Sequence, residues 1–214
     1  MEKNNMLIVL GTPHRLREPG KTSPDGRLRE CVYGREIVVR VARSLRIQEY
    51  QVEVDYEPLD LPKDMQSENC KTERSRELAM RVAKVNGLCS RKGARNVMYV
   101  GIHVNASGND GQWHQPHGWQ VHVGTKTSVR SKMLAGCLLD AARECGLTTR
   151  QPAPGQKYWQ QNLMVLNETA CPAVLTENLF QDNEDDVAFL LSDEGKQVIE
   201  RLHVEGIVKY IGEL

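Results

Sequence analysis

Long hydrophobic runs are absent from this 214-residue sequence, and its first apolar stretch is short. No segment approaches the ~20 consecutive apolar residues that a membrane-spanning helix requires, which argues against membrane insertion. The run at residues 6–10 is shorter than the core of a secretory signal, and no small-residue cleavage site follows it. We therefore expect a protein that is made in the cytoplasm without an export signal.

An excess of either charge is also absent, because 28 Lys and Arg residues balance 28 Asp and Glu residues. A dedicated nucleic-acid-binding protein would carry a basic excess, so we expect no nucleic-acid partner. The six cysteines are scattered and form no Cys-x-x-Cys pair. This spacing argues against a structural zinc knuckle and is typical of reduced, buried thiols.

No Pro/Gly/Ser-rich linker divides the chain, and 214 residues suffice for one domain with a sizeable core. Apolar patterns alternate between strand and helix periods along the sequence. They predict strands over 6–11, 50–58, 95–106, 118–124, 162–166 and 172–180, and helices over 31–46, 72–88, 127–146 and 192–211. Thr72 is the expected N-cap of the second helix, with Gly87 near its end. We therefore predict a single α/β domain over residues 1–214, a three-layer sandwich with a mostly parallel, twisted sheet flanked by helices.

Polar residues stand where ligands collect in such a fold, at the carboxyl ends of the strands. His14 follows the first strand, His103 ends the central strand, and Glu177 lies in "PAVLTENLF", whereas Glu30 opens the first helix. A single histidine at a strand end is commonly structural, so the set has meaning only if its members converge. Catalytic zinc commonly takes two His and one Glu and leaves a position for water. A second carboxylate then moves protons, so two His and two Glu suit amide hydrolysis.

Four sequence blocks resemble one known family. They are "VLGTPH" at 9–14, "GRLRE" at 26–30, "ERSRELAMRVAKVNG" followed by "GIHVNASG" at 73–108, and "CPAVLTENLFQDNEDDVAFLLSDEG" at 171–195. The chain resembles the zinc-dependent N-acetylmuramoyl-L-alanine amidases of the amidase-3 type, which cleave the walls of bacteria and serve some phages as lysins. The likeness covers about residues 6 to 211.

The resemblance implies one Zn²⁺ per chain, bound by His14, Glu30 and His103, with Glu177 as the general base. It also implies cleavage of the amide between the lactyl group of N-acetylmuramic acid and L-alanine of the peptidoglycan stem peptide. We expect a monomer that reaches the cell wall after release or delivery. Substrate-binding residues are not identified by the resemblance.

The chain departs from the family pattern near its first histidine. Pro13 and Arg15 flank His14, where the family usually has a glycine on each side. A basic insert separates His14 from Glu30, and Glu36 is a rival third ligand. We prefer Glu30, because a ligand must point into the cleft from the start of the helix, whereas Glu36 lies within it.

Several other rings in the sequence have a structural and a functional interpretation. We expect His114 and His117 to be exposed loop histidines near the site and His122, inside a strand, to be structural. Trp113, Trp119, Trp159 and Tyr158 offer a flat surface for sugar or peptide, although burial explains them equally well.

Two other functions remain open at this point. One is a zinc carboxypeptidase-like metallopeptidase on a related sheet, although His14 is not followed by the His-x-x-Glu spacing that such a site needs. The other is a metal-free relative that only binds the wall.

Overall fold

A computed structural model describes residues 5–214, and its centre is one six-stranded sheet. The strand order is β2-β1-β3-β6-β4-β5. The strands are β1 (Leu7–Gly11), β2 (Gln51–Val54), β3 (Val97–Asn105), β4 (Gln120–Gly124), β5 (Trp159–Gln161) and β6 (Ala173–Phe180). β2, β1, β3 and β6 are parallel, whereas β4 runs antiparallel to β6 and carries β5 parallel to itself. The sheet is therefore mixed but mostly parallel, as the sequence predicts.

Helices cover both faces of this sheet. They are α1 (Glu30–Ile47), α2 (Cys70–Lys92), α3 (Val129–Glu144), α4 (Met164–Asn167), α5 (Glu184–Leu191) and α6 (Asp193–Gly212), with 3₁₀ turns at Lys63–Met65 and Ala94–Asn96. α1, α3, α5 and α6 share one apolar core with one face, and α2 and α4 share a second core with the other. The three-layer prediction is confirmed.

Alternation along β1 shows why both faces must be covered. Ile8 and Leu10 belong to the α1 side, whereas Leu7 and Val9 belong to the α2 side, and all four are buried. Since successive side chains of a strand point to opposite faces, an apolar residue at every position requires a helix layer above and below. Within residues 5–214, no helix is both long and apolar enough to cross a bilayer.

The strand predicted over 162–166 is wrong, because this segment forms the short helix α4. A run of four or five apolar residues does not distinguish a strand from a helical turn. Here the Asn167 amide donates to the Asn162 side-chain oxygen at 2.7 Å, which closes the turn. The neighbouring strand β5 was not predicted, since it is a polar edge strand that pairs only with β4.

The predicted N-cap of α2 is also wrong. The helix begins two residues earlier than predicted, and the side chain of Asn69 accepts hydrogen bonds from the backbone N–H groups of Lys71 and Thr72. Asn is at least as good an N-cap as Thr, so both positions satisfied the pattern. The helix continues past Gly87 and ends at Lys92, where Gly93 caps it with a φ of +83° that suits glycine.

Close packing of α3 on α6 depends on Gly206. A Cβ built there would lie 2.9 Å from the backbone Cα of Leu138, which a side-chain rotation cannot relieve. We expect Gly206→Ala to lower the free energy of unfolding by about 1–3 kcal/mol, despite the better helix propensity of alanine.

Chemical denaturation of both proteins measures this difference. Gly212→Ala is the matched control, because it lies in the same helix with no atom within 4 Å of the added Cβ. A Gly206→Ala variant as stable as wild type would contradict the packing argument.

Candidate active site

Neighbouring strands deliver two of the predicted residues to one place. β3 and β6 are adjacent and parallel, and their register places His103 directly opposite Glu177. Both side chains lie on the face of the sheet that α2 and α4 cover. His103 follows Tyr99 by four residues on β3, and residues an even number apart on a strand point to the same face, where Tyr99 is buried. The parallel strand β1 ends beside β3, and His14 follows it after a two-residue gap.

His14, Glu30 and His103 form a compact triad. One ligand-capable atom from each lies within 4.8 Å of the other two. The Glu30 Oε1 atom is 3.1 Å from His103 Nδ1, and its Oε2 atom is 3.5 Å from His14 Nε2. The two imidazole rings are perpendicular, with centroids 5.1 Å apart.

The donor set of this triad fits a catalytic zinc ion, which commonly takes imidazole nitrogen and carboxylate oxygen. Glu30 has no exposed surface, and its Oε2 atom has no hydrogen-bond partner among the described residues. His14 Nε2 and Lys21 Nζ are both 3.5 Å from this oxygen but donate no hydrogen bond to it. Because an ionised carboxylate is costly to bury without close partners, this oxygen is suited to a positive ligand.

The alternative ligand Glu36 is placed elsewhere. Its carboxylate contacts Arg40 at 3.2 Å on α1 and Lys196 at 3.0 Å on α6. The structure therefore brings Glu30, and not Glu36, together with the two histidines.

Charge states in the triad suit metal binding. Burial is the main reason that the pKa of His14 falls to about 3, although the Glu30 carboxylate opposes the change. Burial raises the pKa of Glu30, but the combined influence of His14, His103 and Lys21 outweighs it and holds that pKa below its usual value. A neutral imidazole beside an ionised carboxylate is the state in which these groups coordinate a metal.

Glu177 has the opposite electrostatic environment. Burial, followed by the nearby negative charge of Glu30, raises the pKa of Glu177 to about 8. Its Oε2 atom is buried without a hydrogen-bond partner among residues 5–214. A carboxyl group with a pKa near neutrality can both accept and donate a proton, which is what a general acid–base group must do.

The loop that carries His14 is held without the flanking glycines. His14 has a φ of +24°, which is unfavourable for a residue with a side chain. The Arg35 guanidinium on α1 stabilises this conformation, since its Nη1 atom donates to the carbonyl oxygens of Pro13 at 2.7 Å and His14 at 2.9 Å. Its other nitrogens bond the carbonyls of Glu57 and Pro58.

A second buried arginine holds the other side of the same loop. Arg15 is almost fully buried and contacts the carboxylates of Glu18, Glu73 and Glu77. Glu73 and Glu77 both lie on α2, so these ion pairs link the loop to that helix. Sequence reasoning missed both Arg15 and Arg35, and the only signal was the absence of the expected glycines.

Lys21 is a further residue that sequence reasoning missed. It lies in the insert between His14 and Glu30, and its Nζ atom is 3.5 Å from Glu30 Oε2. The insert thus places a cation at the triad.

The remaining histidines lie outside the triad. His114 contacts Asp110 at 2.9 Å, and the exposed His117 faces the carbonyl of Gln115. His122 is buried, where burial and then the charge of His103 lower its pKa to about 4, and it stacks on Trp159.

The fold places the candidate aromatic residues in different environments. Trp119 is fully buried and donates to Asn178, so it offers no surface to a substrate. Trp113 is exposed in the loop before β4.

A cleft opens beside the two triad histidines, between α2 and α4. Its volume is about 250 Å³. Besides the histidines it is lined by apolar side chains and three cations: Leu78, Tyr99, Leu163, Met164, Val165, Leu175, Lys21, Arg74 and Arg81, with Thr12 and Glu77.

Removal of the Arg35 side chain should destabilise the protein. Arg35→Ala leaves several buried carbonyl groups without donors and releases the unfavourable His14 conformation. We expect the free energy of unfolding to fall by about 2–4 kcal/mol, measured by urea denaturation.

Arg40→Ala is the control on the same helix, because its ion pair with Glu36 is partly exposed and contributes about 1 kcal/mol or less. Equal stability losses in the two variants would show that Arg35 does not hold the loop.

Comparison with known proteins places these features in context. Residues 8–209 match the family model described as N-acetylmuramoyl-L-alanine amidase. The endolysin of Bacillus phage SPP1 is 30% identical over 135 residues, which is 63% of this chain and 45% of that protein. The match therefore spans less than half of that relative.

Two solved structures share the architecture. The CwlD amidase of Clostridioides difficile has a TM-score of 0.80 at 19% identity, over 98% of this chain and 100% of that one. The catalytic domain of the amidase CwlV from Bacillus (Paenibacillus) polymyxa has a TM-score of 0.74 at 20% identity, over 97% and 98%. At these identities the likeness shows a common fold.

Proposed function

Because this chain belongs to the N-acetylmuramoyl-L-alanine amidase family, we propose that it hydrolyses the amide between the lactyl group of N-acetylmuramic acid and L-alanine in peptidoglycan. The observation that carries the proposal is the convergence of His14, Glu30 and His103, with Glu177 opposite His103 in the sheet. Two imidazoles, one ionised carboxylate and one carboxyl group of raised pKa form the set that hydrolysis of an amide needs.

In this proposal His14, Glu30 and His103 hold one Zn²⁺ per chain. When bound, zinc lowers the pKa of a water ligand from ~16 toward ~7 and polarises a carbonyl group. One ligand atom from each of the three side chains lies within 4.8 Å of the other two, close enough to share one ion. Arg35 and Arg15 keep His14 in place from both sides of its loop.

Glu177 moves the proton in the reaction. Its carboxylate accepts a proton from the attacking water as the new C–O bond forms at the lactyl carbonyl carbon. It then donates that proton to the amine nitrogen of L-alanine as the C–N bond breaks, so the products are a lactyl carboxylic acid, which ionises by losing its proton, and a free peptide amine. A pKa raised by burial suits both halves of this exchange.

We further propose that residues 1–214 act as one catalytic domain and as a monomer, of which the structure describes residues 5–214. All six strands belong to the same sheet, and the four residues of the site come from β3, β6, the start of α1 and the loop after β1. The likeness to a phage endolysin supports action on the cell wall after release or delivery.

Substitution of Glu177 should separate catalysis from metal binding. We expect Glu177→Gln to lower kcat by about 10²–10⁴-fold, because the isosteric amide does not accept the proton of water. Zinc content, measured by atomic absorption, should stay near one ion per chain. Full activity of Glu177→Gln on purified walls would refute the assigned role.

The zinc content of single variants tests the ligand set without any measurement of activity, and chelation tests whether activity needs the metal. We expect His14→Ala, His103→Ala and Glu30→Gln to lose zinc, because each removes one of three ligands, whereas Glu36→Gln keeps it. A chelator should abolish the activity of wild type, and added Zn²⁺ should restore it. Zinc loss from Glu36→Gln and retention by Glu30→Gln would reverse the assignment.

The two other candidate functions give different results in these assays. An amidase frees the N-terminus of L-alanine, whereas a metallopeptidase frees a new peptide carboxylate. A wall-binding relative without metal would contain no zinc and release neither product.

A further inference from the structure

The cleft beside the triad has an apolar wall that the proposed catalytic residues leave without a role. Leu78 of α2, Met164 of α4 and the neighbouring Leu163 are half-buried and line it together. Leu175 of β6 closes its floor, two residues before Glu177. A small apolar group that enters this cleft therefore lies close to the position where the amide is cleaved.

Three cations line the same cleft, but they differ in how many of their N–H donors already form hydrogen bonds. Arg81 is buried and fully engaged, since it bonds Glu77, Asp55 and Thr12. Lys21 faces the triad, where its Nζ atom is 3.5 Å from Glu30 Oε2.

Arg74 is the most exposed of these arginines and keeps a donor that forms no hydrogen bond among the described residues. Its side chain is 48% exposed, and its Nε and Nη2 atoms donate to one oxygen of Glu18. The other oxygen of Glu18 faces Arg15, so Glu18 divides its charge between two guanidinium groups. Among the described residues no hydrogen bond occupies Arg74 Nη1, which leaves a charged donor at the cleft.

We propose that this cleft binds the peptide side of the substrate, with Arg74 as its specificity-determining residue. The methyl group of L-alanine packs against the apolar wall formed by Leu78, Leu163, Met164 and Leu175. The Arg74 guanidinium binds the free carboxylate of the acidic residue that follows L-alanine in the stem peptide. This inference rests on the proposed amidase function.

The size and polarity of the cleft favour the peptide over the glycan. A glycan strand is a long, polar polymer, and a cleft of about 250 Å³ with an apolar wall does not fit it. An alanine methyl group and one carboxylate match an apolar wall with a single charged donor. We expect the bound glycan to extend from the triad on the side away from this cleft.

Binding of two dipeptides to the zinc-loaded protein tests the proposal without any turnover. The probes are the γ-methylamides of L-alanyl-D-glutamate and of its α-amide, L-alanyl-D-isoglutamine, so that the first carries one carboxylate and the second none, with Kd measured by NMR titration. Wild type should bind the acid about 10-fold or more tightly than the amide, because a charge-assisted hydrogen bond is lost in the amide. Arg74→Gln should bind both equally, at the level of the amide.

Two further variants separate the parts of the subsite. Arg76→Gln is the matched control, because Arg76 lies on the same helix and bonds the carbonyls of Met65 and Gln66 outside the cleft. It should keep the preference of wild type. Leu78→Asn should weaken both dipeptides by the same factor, since it alters only the apolar wall.

The proposal is overturned if wild type binds neither dipeptide, or if Arg74→Gln keeps the preference for the acid. Hydrolysis of purified walls by wild type, assayed in parallel, decides the amidase function separately. If the protein hydrolyses walls but does not bind the dipeptides, the amidase function stands and the subsite is refuted. If it binds the dipeptides but does not hydrolyse walls, the subsite stands and the amidase function is refuted.

Discussion

The buried carboxylate of Glu30 is the constraint on which the rest of this site depends. Although burial raises its pKa, His14, His103 and Lys21 hold that pKa below the usual value. The carboxylate has no exposed surface, and one of its oxygens has no hydrogen-bond partner among the described residues. Burial of such a group is costly unless positive charge or donors surround it. The two imidazoles, Lys21 and the start of α1 all lie where they reduce that cost.

The fold supplies the convergence, because the triad residues are far apart in the sequence. A parallel pair of strands brings His103 and Glu177 side by side, and the end of β1 next to β3 adds His14. The unusual loop around His14 then requires its own support, which Arg35 and Arg15 provide in place of glycine. The triad, the loop and the cleft are thus parts of one charged network.

The succession of apolar strand and helix segments is sufficient to predict the layers, the mostly parallel sheet and the strands that carry His103 and Glu177. The α4 segment was not predictable, because four apolar residues satisfy a strand and a helical turn alike. Arg35, Lys21 and Arg74 were missed for a different reason. Their roles depend on partners distant in the sequence, such as the Pro13 carbonyl and Glu18, which no local pattern reveals.

Crystals grown with zinc, with anomalous diffraction recorded at the zinc edge, test the central claim most directly. The account predicts one strong peak about 2.0–2.2 Å from a nitrogen of His14, a nitrogen of His103 and an oxygen of Glu30. A peak bound by other residues, or none at these three, would contradict it.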